Sequence, residues 1–420
     1  MEKRSSWDWE TREKTIPLQP WDETFEWVEE PYASPDGEKI AAVVKSGEGE
    51  FNVCVNGEPW ETPFDKIWFL RFSPDGRLTA LVSVDGEWTV AIDGMPWENR
   101  FGYVWNTLFS HDGSHIAIAY QKDMEYGMAL DDVPWENNFK NITHTSLSVD
   151  GKNTSASVQT IGFNEGEIFK FQEGAYTAAA NGNPWNHNFI NVWQTSFSPD
   201  GQSLAAEVRL SLYDYTIAVD GIPWEKTFSW VWEPIFNPTT KGVIAPVRVN
   251  GGWTLAEDGV IIWDNRYFQL WHQMFSPDGS TLAAIVAPSF GKWTLAVNDR
   301  PWPVKFNEMV TDAVFSSTGN HVAAVAKDKG KYTIVVDGAV WKQTFDRVWA
   351  PVFSPDGQFV ATKVEKKGKY TFALNDKLWT RLSCDALWNP EFSPDGNSLL
   401  LRTIEDGIYY RRVVPVSDLI

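Results

Sequence analysis

One tetrapeptide recurs along this chain and limits what the chain can become. Ser-Pro-Asp-Gly stands intact at residues 34–37, 73–76, 198–201, 276–279, 354–357 and 393–396. Degraded copies fill the gaps at 110–113, 148–151, 237–240 and 316–319. A tryptophan marks the same ten units: Trp21, Trp60, Trp97, Trp135, Trp185, Trp224, Trp263, Trp302, Trp341 and Trp379. Their successive spacings are 39, 37, 38, 50, 39, 39, 39, 39 and 38, and most of them follow Pro. A second Trp recurs eight or nine residues later at Trp68, Trp105, Trp193, Trp232, Trp271, Trp349 and Trp388, with Glu29, Thr143 and Val310 in that place elsewhere. Self-similarity at a period near 40 residues belongs to stacked repeat architectures, and this length is that of a propeller blade.

The unit at 341–378 shows the local physics. Residues 348–353 read as a short apolar strand. Ser-Pro-Asp-Gly then turns the chain, because Pro pre-sets φ near −65° and Gly accepts positive φ. Residues 359–364 read as a second strand and 370–374 as a third, β-branched and aromatic. Asn375-Asp376 is a two-residue hairpin turn, and a short fourth strand carries Trp379. Four antiparallel strands in about 40 residues make one blade.

Ten such units predict an all-β chain, a β-propeller of about ten four-stranded blades. The last unit supplies three strands ending near Val416, and residues 20–25 form a spare fourth strand at the other end. Their pairing would close the propeller and leave no open sheet edge. The expected organisation is a polar N-terminal tail at 1–19 and a single propeller at 20–420, with an insertion at about 158–174 that accounts for the spacing of 50. Two five-bladed propellers are the competing arrangement. They require a second closure near residues 197–201, where no change of composition marks a boundary.

Composition excludes several functions. The chain has 420 residues, with 36 Lys and Arg against 56 Asp and Glu, so it carries a net charge of −20 and is a poor partner for nucleic acid or anionic membranes. Its two cysteines, Cys54 and Cys384, form no CxxC and cannot build a disulfide framework. No stretch of about 18 apolar residues is present and the N-terminus lacks a signal-peptide pattern, so a cytoplasmic chain without membrane insertion is expected.

The Phe-Ser-Pro-Asp-Gly units followed by Leu-Ala-Ala-x-Val resemble the WD40-like repeats of TolB-type propellers, over almost the whole chain. That resemblance implies the fold and leaves function open. The added element Asp-Gly-x-Pro-Trp-Glu-x-x-Phe, seen at 220–228, lies outside the general motif. An acidic, tryptophan-rich repeat chain of this kind is similar to the tryptophan-rich cytoplasmic subunit of the transmembrane electron-transfer complex of sulfate-reducing bacteria. The resemblance implies a non-catalytic scaffold whose partners are protein subunits of a membrane redox complex, and peripheral membrane association through them. A propeller that binds a small molecule or carbohydrate at a channel mouth is the competing function.

No catalytic, cofactor-binding or metal-binding residues are expected. The chain has no Gly-x-Ser-x-Gly elbow, no P-loop and no dinucleotide fingerprint. His111 and His115 are the only histidines close in sequence, and they read as turn and strand residues. The Asp of each Ser-Pro-Asp-Gly reads as a turn acceptor for backbone amides. Glu61, Glu98, Glu136 and Glu225 of the Pro-Trp-Glu elements read as solvent-facing or turn-capping. The repeat tryptophans read as wedges between blades. Candidates for partner binding are therefore departures from the repeat: Trp7 and Trp9 in the tail, and Phe163, Ile168, Phe169 and Phe171 in the insertion.

Overall fold

The computed structural model describes residues 2–419. It is all-β: ten four-stranded antiparallel blades of a β-propeller, with few short helices. In blade 3, for example, Tyr103–Phe109, Ile116–Lys122, Glu125–Leu130 and Val133–Pro134 pair in chain order, and a bridge from Tyr126 to Phe139 extends the fourth strand. Numbered from the N-terminus, blades 2–6 fall in one compact unit, Phe64–Arg266. Blades 1 and 7–10 form the other, Met1–Pro63 with Tyr267–Ile420.

The turn chemistry follows the sequence. In blade 9, Ser354 Oγ donates to Asp356 Oδ1 (2.5 Å), which also accepts from the Gln358 amide (3.0 Å), while Gly357 sits at φ 78°. Ser354 Oγ accepts in turn from the Phe359 amide at 2.9 Å, so a buried serine joins both sides of the turn. At the far hairpin, Asn375 (φ 43°) accepts from the Val360 amide at 2.8 Å and ties the start of the second strand to the end of the third. Asn56, Asp93, Asp131, Asn181, Asp220, Asp258, Asn298 and Asp337 make the same bond in other blades. A positive φ that Asn and Asp tolerate, together with a short acceptor side chain, explains why those residue types recur there.

The core lies between blades. Trp97 packs with Trp88 and Phe101 of its own blade against Val104, Ile116 and Tyr120 of the next. Trp224 does the same with Phe228 against Val231, Val243 and Ala245. Trp21, Trp135, Trp185, Trp302, Trp341 and Trp379 also pack between blades, so eight of the ten repeat tryptophans are inter-blade wedges; six of the ten are buried, and Trp60, Trp185, Trp302 and Trp379 are half-buried.

Closure joins the two ends of the chain, through a different segment from the one the sequence suggested. Glu13–Pro17 is the fourth strand of blade 10 and pairs antiparallel with Ile408–Pro415 from Glu13↔Arg412 to Pro17↔Ile408. Residues 20–25, expected as that strand, lie mostly in the short helix α1 (Gln19–Thr24), with Pro20 in its first turn, where a missing amide costs nothing. Trp21 is still buried, beside Ile40, Ala42 and Tyr409. The stretch expected as a polar tail is held by Arg411, which donates to the carbonyls of Asp8 and Thr11, and by an ion pair from Arg4 to Glu391 (2.7 Å). No second pairing between distant segments of this kind occurs among the described residues: at 197–201, where two propellers would require a second closure, Asn191–Phe197 pairs with Leu204–Arg209 of its own blade.

Candidate functional site

The first strand of every blade is interrupted just after its Trp position, in one of two ways. In blades 2, 3, 4, 5, 7 and 8 the register slips, as between Trp68 and Arg71 or between Trp271 and Met274. Phe69, Asn106, His144, His272 and Asp312 take positive φ at these bulges, the local signature of an extra residue in a strand. In blades 1, 6, 9 and 10 a proline stands there instead (Pro31, Pro234, Pro351 and Pro390), and the strand breaks because proline donates no ladder hydrogen bond.

One residue of the second strand lies at the edge of each interruption, in most of the bulged blades paired with the residue just before it, as Leu81 is with Trp68 and Ile285 with Trp271. It is the variable residue of Leu-Ala-Ala-x-Val, and in most blades it is apolar or small: Val43, Leu81, Ala119, Ser157, Pro246, Ile285 and Val325. In three blades it is charged: Glu207, Lys363 and Arg402. Sequence reasoning missed all three, although a charge inside a buried strand pattern is a readable signal.

In the Phe64–Arg266 unit, Glu207 is buried. Burial, and then the charge of Glu233, push its carboxyl up to about 8, so it holds a proton at neutral pH. Beside it in chain order, Tyr215 stacks between Trp193 (6.0 Å) and Trp230 (4.6 Å), with Arg209 over the same ring.

In the other unit, Lys363 and Arg402 line one cleft of about 500 Å³ together with Glu30, Tyr32, Tyr370 and Trp388. The Lys363 ammonium lies 4.3 Å from the Trp349 ring and 4.6 Å from the Tyr370 ring. Desolvation lowers its pKa, opposed by nearby negative groups that include Glu30. Arg402 is buried; its terminal nitrogens donate to the carbonyls of Ser34 (2.9 Å), Pro35 (3.1 Å) and Asn389 (2.8 Å). Its Nε is buried without a partner.

The residues singled out from sequence are divided between the two units. Trp7 and Trp9 stack at 6.0 Å and 21°, both half-buried, and Trp9 Nε1 donates to the Arg4 carbonyl at 2.8 Å. The insertion folds as a short 3₁₀ turn, Glu165–Glu167, followed by the helix α2 (Ile168–Glu173). Phe171 packs inward, 5.9 Å from Phe163 and 6.4 Å from Tyr176 of the blade beneath. Ile168 and Phe169 point to solvent, 59% and 52% exposed. The four therefore split into two anchoring rings and two displayed side chains.

The remaining polar candidates behave as turn and surface groups. Hydrogen bonds from Ser276 and Ser280 hold the Asp278 carboxyl down at about 2, and Asp356 and Asp395 are lowered for the same kind of reason. His115 contacts Asp131 at 2.5 Å, and Glu61, Glu98, Glu136 and Glu225 are exposed. Cys54 and Cys384 are buried free thiols, pushed up to about 11 and about 12 by burial. Among the described residues no three of His, Cys, Asp and Glu gather as a metal site, and no helix is long and apolar enough to cross a membrane.

No protein-family model matches this chain, and no curated protein matches it. Solved structures do resemble it. One, described as the crystal structure of the eukaryotic initiation factor, has 13% identity and a TM-score of 0.43, covering 88% of this chain and 98% of that one. Another, from a structural and mechanistic analysis of two prolyl endopeptidases, has 12% identity and a TM-score of 0.39, covering 82% of this chain and 55% of that one. Likenesses this distant carry no functional argument, and the fold rests on the strand pairing itself.

Proposed function

We propose that this protein is a non-catalytic interaction scaffold, an accessory subunit of a membrane-associated electron-transfer complex. The display of Ile168 and Phe169 carries the scaffold reading. Helix α2 buries none of its described residues, yet Phe163 and Phe171 fix it to blade 4 from below. An apolar pair held outward on an anchored loop suits capture of a partner surface better than it suits solvent. The redox context is what the resemblance to the tryptophan-rich subunit of the transmembrane electron-transfer complex implies, a resemblance carried by the tryptophan-rich repeats and the acidic composition.

The test is affinity purification of the full chain from gently solubilised membranes, followed by mass spectrometry. Wild type is expected to bring down haem- or iron–sulfur-containing subunits. The double variant Ile168→Asp, Phe169→Asp is expected to lose them while melting as wild type does. Recovery of the wild type solely as a free protein would refute the subunit reading. An unchanged set of co-purifying subunits in the variant would remove α2 from the interface.

A further inference from the structure

Four charged residues line the cleft around Lys363, and two of opposite sign, Lys363 and the exposed Glu30, form no ion pair among the described residues, whereas Asp385 pairs with Lys369 and Arg402 donates to backbone carbonyls. The Lys363 ammonium has no hydrogen bond or ion pair among the described residues, unlike Lys369, which pairs with Asp385 of the cleft lining. The Glu30 carboxylate is likewise unpaired, and its charge acts on Lys363 from within the same cleft. Blade 1 has Glu29 where seven blades carry Trp, so a smaller side chain than indole stands beside Glu30. The walls between the charges are aromatic: Tyr32 and Trp388, with Tyr370 under the ammonium.

A cation and an anion left apart in a concave, aromatic-walled space of about 500 Å³ form a complementary frame for a molecule that carries both charges. We infer that this cleft binds a small zwitterion of the free amino acid class, its carboxylate on Lys363, its ammonium on Glu30 and its side chain against Trp388 and Tyr32. Cation–π contact with Trp349 and Tyr370 holds the Lys363 head in place, so little rotamer freedom is lost on binding. Arg402, whose terminal nitrogens are spent on three backbone carbonyls, shapes the floor and adds positive potential. A simple anion would engage Lys363 alone and a simple amine Glu30 alone; the zwitterion engages both.

Isothermal titration of the full chain with the twenty free amino acids, and with 3-phenylpropionate and 2-phenylethylamine beside L-phenylalanine, tests this. One site is expected, with phenylalanine bound at least tenfold more tightly than either analogue. Lys363→Gln should weaken phenylalanine at least tenfold and erase its advantage over phenylethylamine. Glu30→Gln should erase its advantage over phenylpropionate, and Lys363→Arg should retain most of the affinity. Melting curves establish that each variant is folded; should Lys363→Gln not fold, Lys363→Arg and Glu30→Gln decide. Absence of heat with all twenty amino acids at millimolar concentration overturns the inference. So does equal binding of phenylalanine and its two analogues, or affinity unchanged in Glu30→Gln.

Discussion

The hydroxyl of Tyr409 donates to the carbonyl of Gly37 at 2.8 Å, across 372 residues of chain. It joins the last blade to the first Ser-Pro-Asp-Gly turn, and burial pushes the phenol well above its usual pKa. Tyr409→Phe leaves that carbonyl without its donor and is expected to cost about 1–3 kcal/mol. Gly37→Ala should cost more. Gly37 sits at φ 76°, and an added Cβ would meet Arg411 Cγ at 2.9 Å. Urea unfolding measures both, and a Tyr409→Phe variant as stable as wild type would show the bond to be dispensable.

Trp224 separates shape from hydrogen bonding at the blade interface. It is buried against Val231, Val243 and Ala245, and its Nε1 is buried without a partner. Trp224→Ala should therefore cost about 3–5 kcal/mol, the range for deleting a large buried ring. Trp224→Phe should recover much of that, because no indole hydrogen bond is lost. Equal losses in the two variants, read from denaturant midpoints at constant m, would contradict this account.

Glu207 makes stability depend on pH with a definite sign. Its carboxyl is raised from 4.5 to about 8, by burial first and Glu233 second. Between these values the folded chain keeps a proton that the unfolded chain releases, so stability falls as pH rises through that window. Glu207→Gln has no such proton. The unfolding free energy of wild type minus that of the variant should drop between pH 5 and 8, by up to about 1.4 kcal/mol per pH unit. A difference that stays level across that range would show that Glu207 ionises as an ordinary carboxylate does.

The amino-acid sequence by itself determined the blade. Ser354, Asp356 and Gly357 satisfy one another and the next strand within five residues, so the turn is written where it forms. The repeat tryptophans were legible as inter-blade wedges for a related reason: a position that recurs in every blade calls for one kind of packing, which eight of the ten make. Tertiary structure alone decided the rest. Glu13–Pro17 closes blade 10 because Ile408–Pro415 offers its edge there and Arg411 binds the Asp8 and Thr11 carbonyls some 400 residues away. The insertion read as a loop of four apolar residues; only the packing of Phe171 on Tyr176 and of Phe163 on Phe171 separates these two rings from the displayed Ile168 and Phe169. Lys363 and Glu30 stand more than 300 residues apart in the sequence, and only the folded chain brings them to one cleft. Local backbone chemistry is encoded beside the residues it satisfies, whereas a charge or an edge whose partner lies hundreds of residues away acquires its role only when the chain has folded.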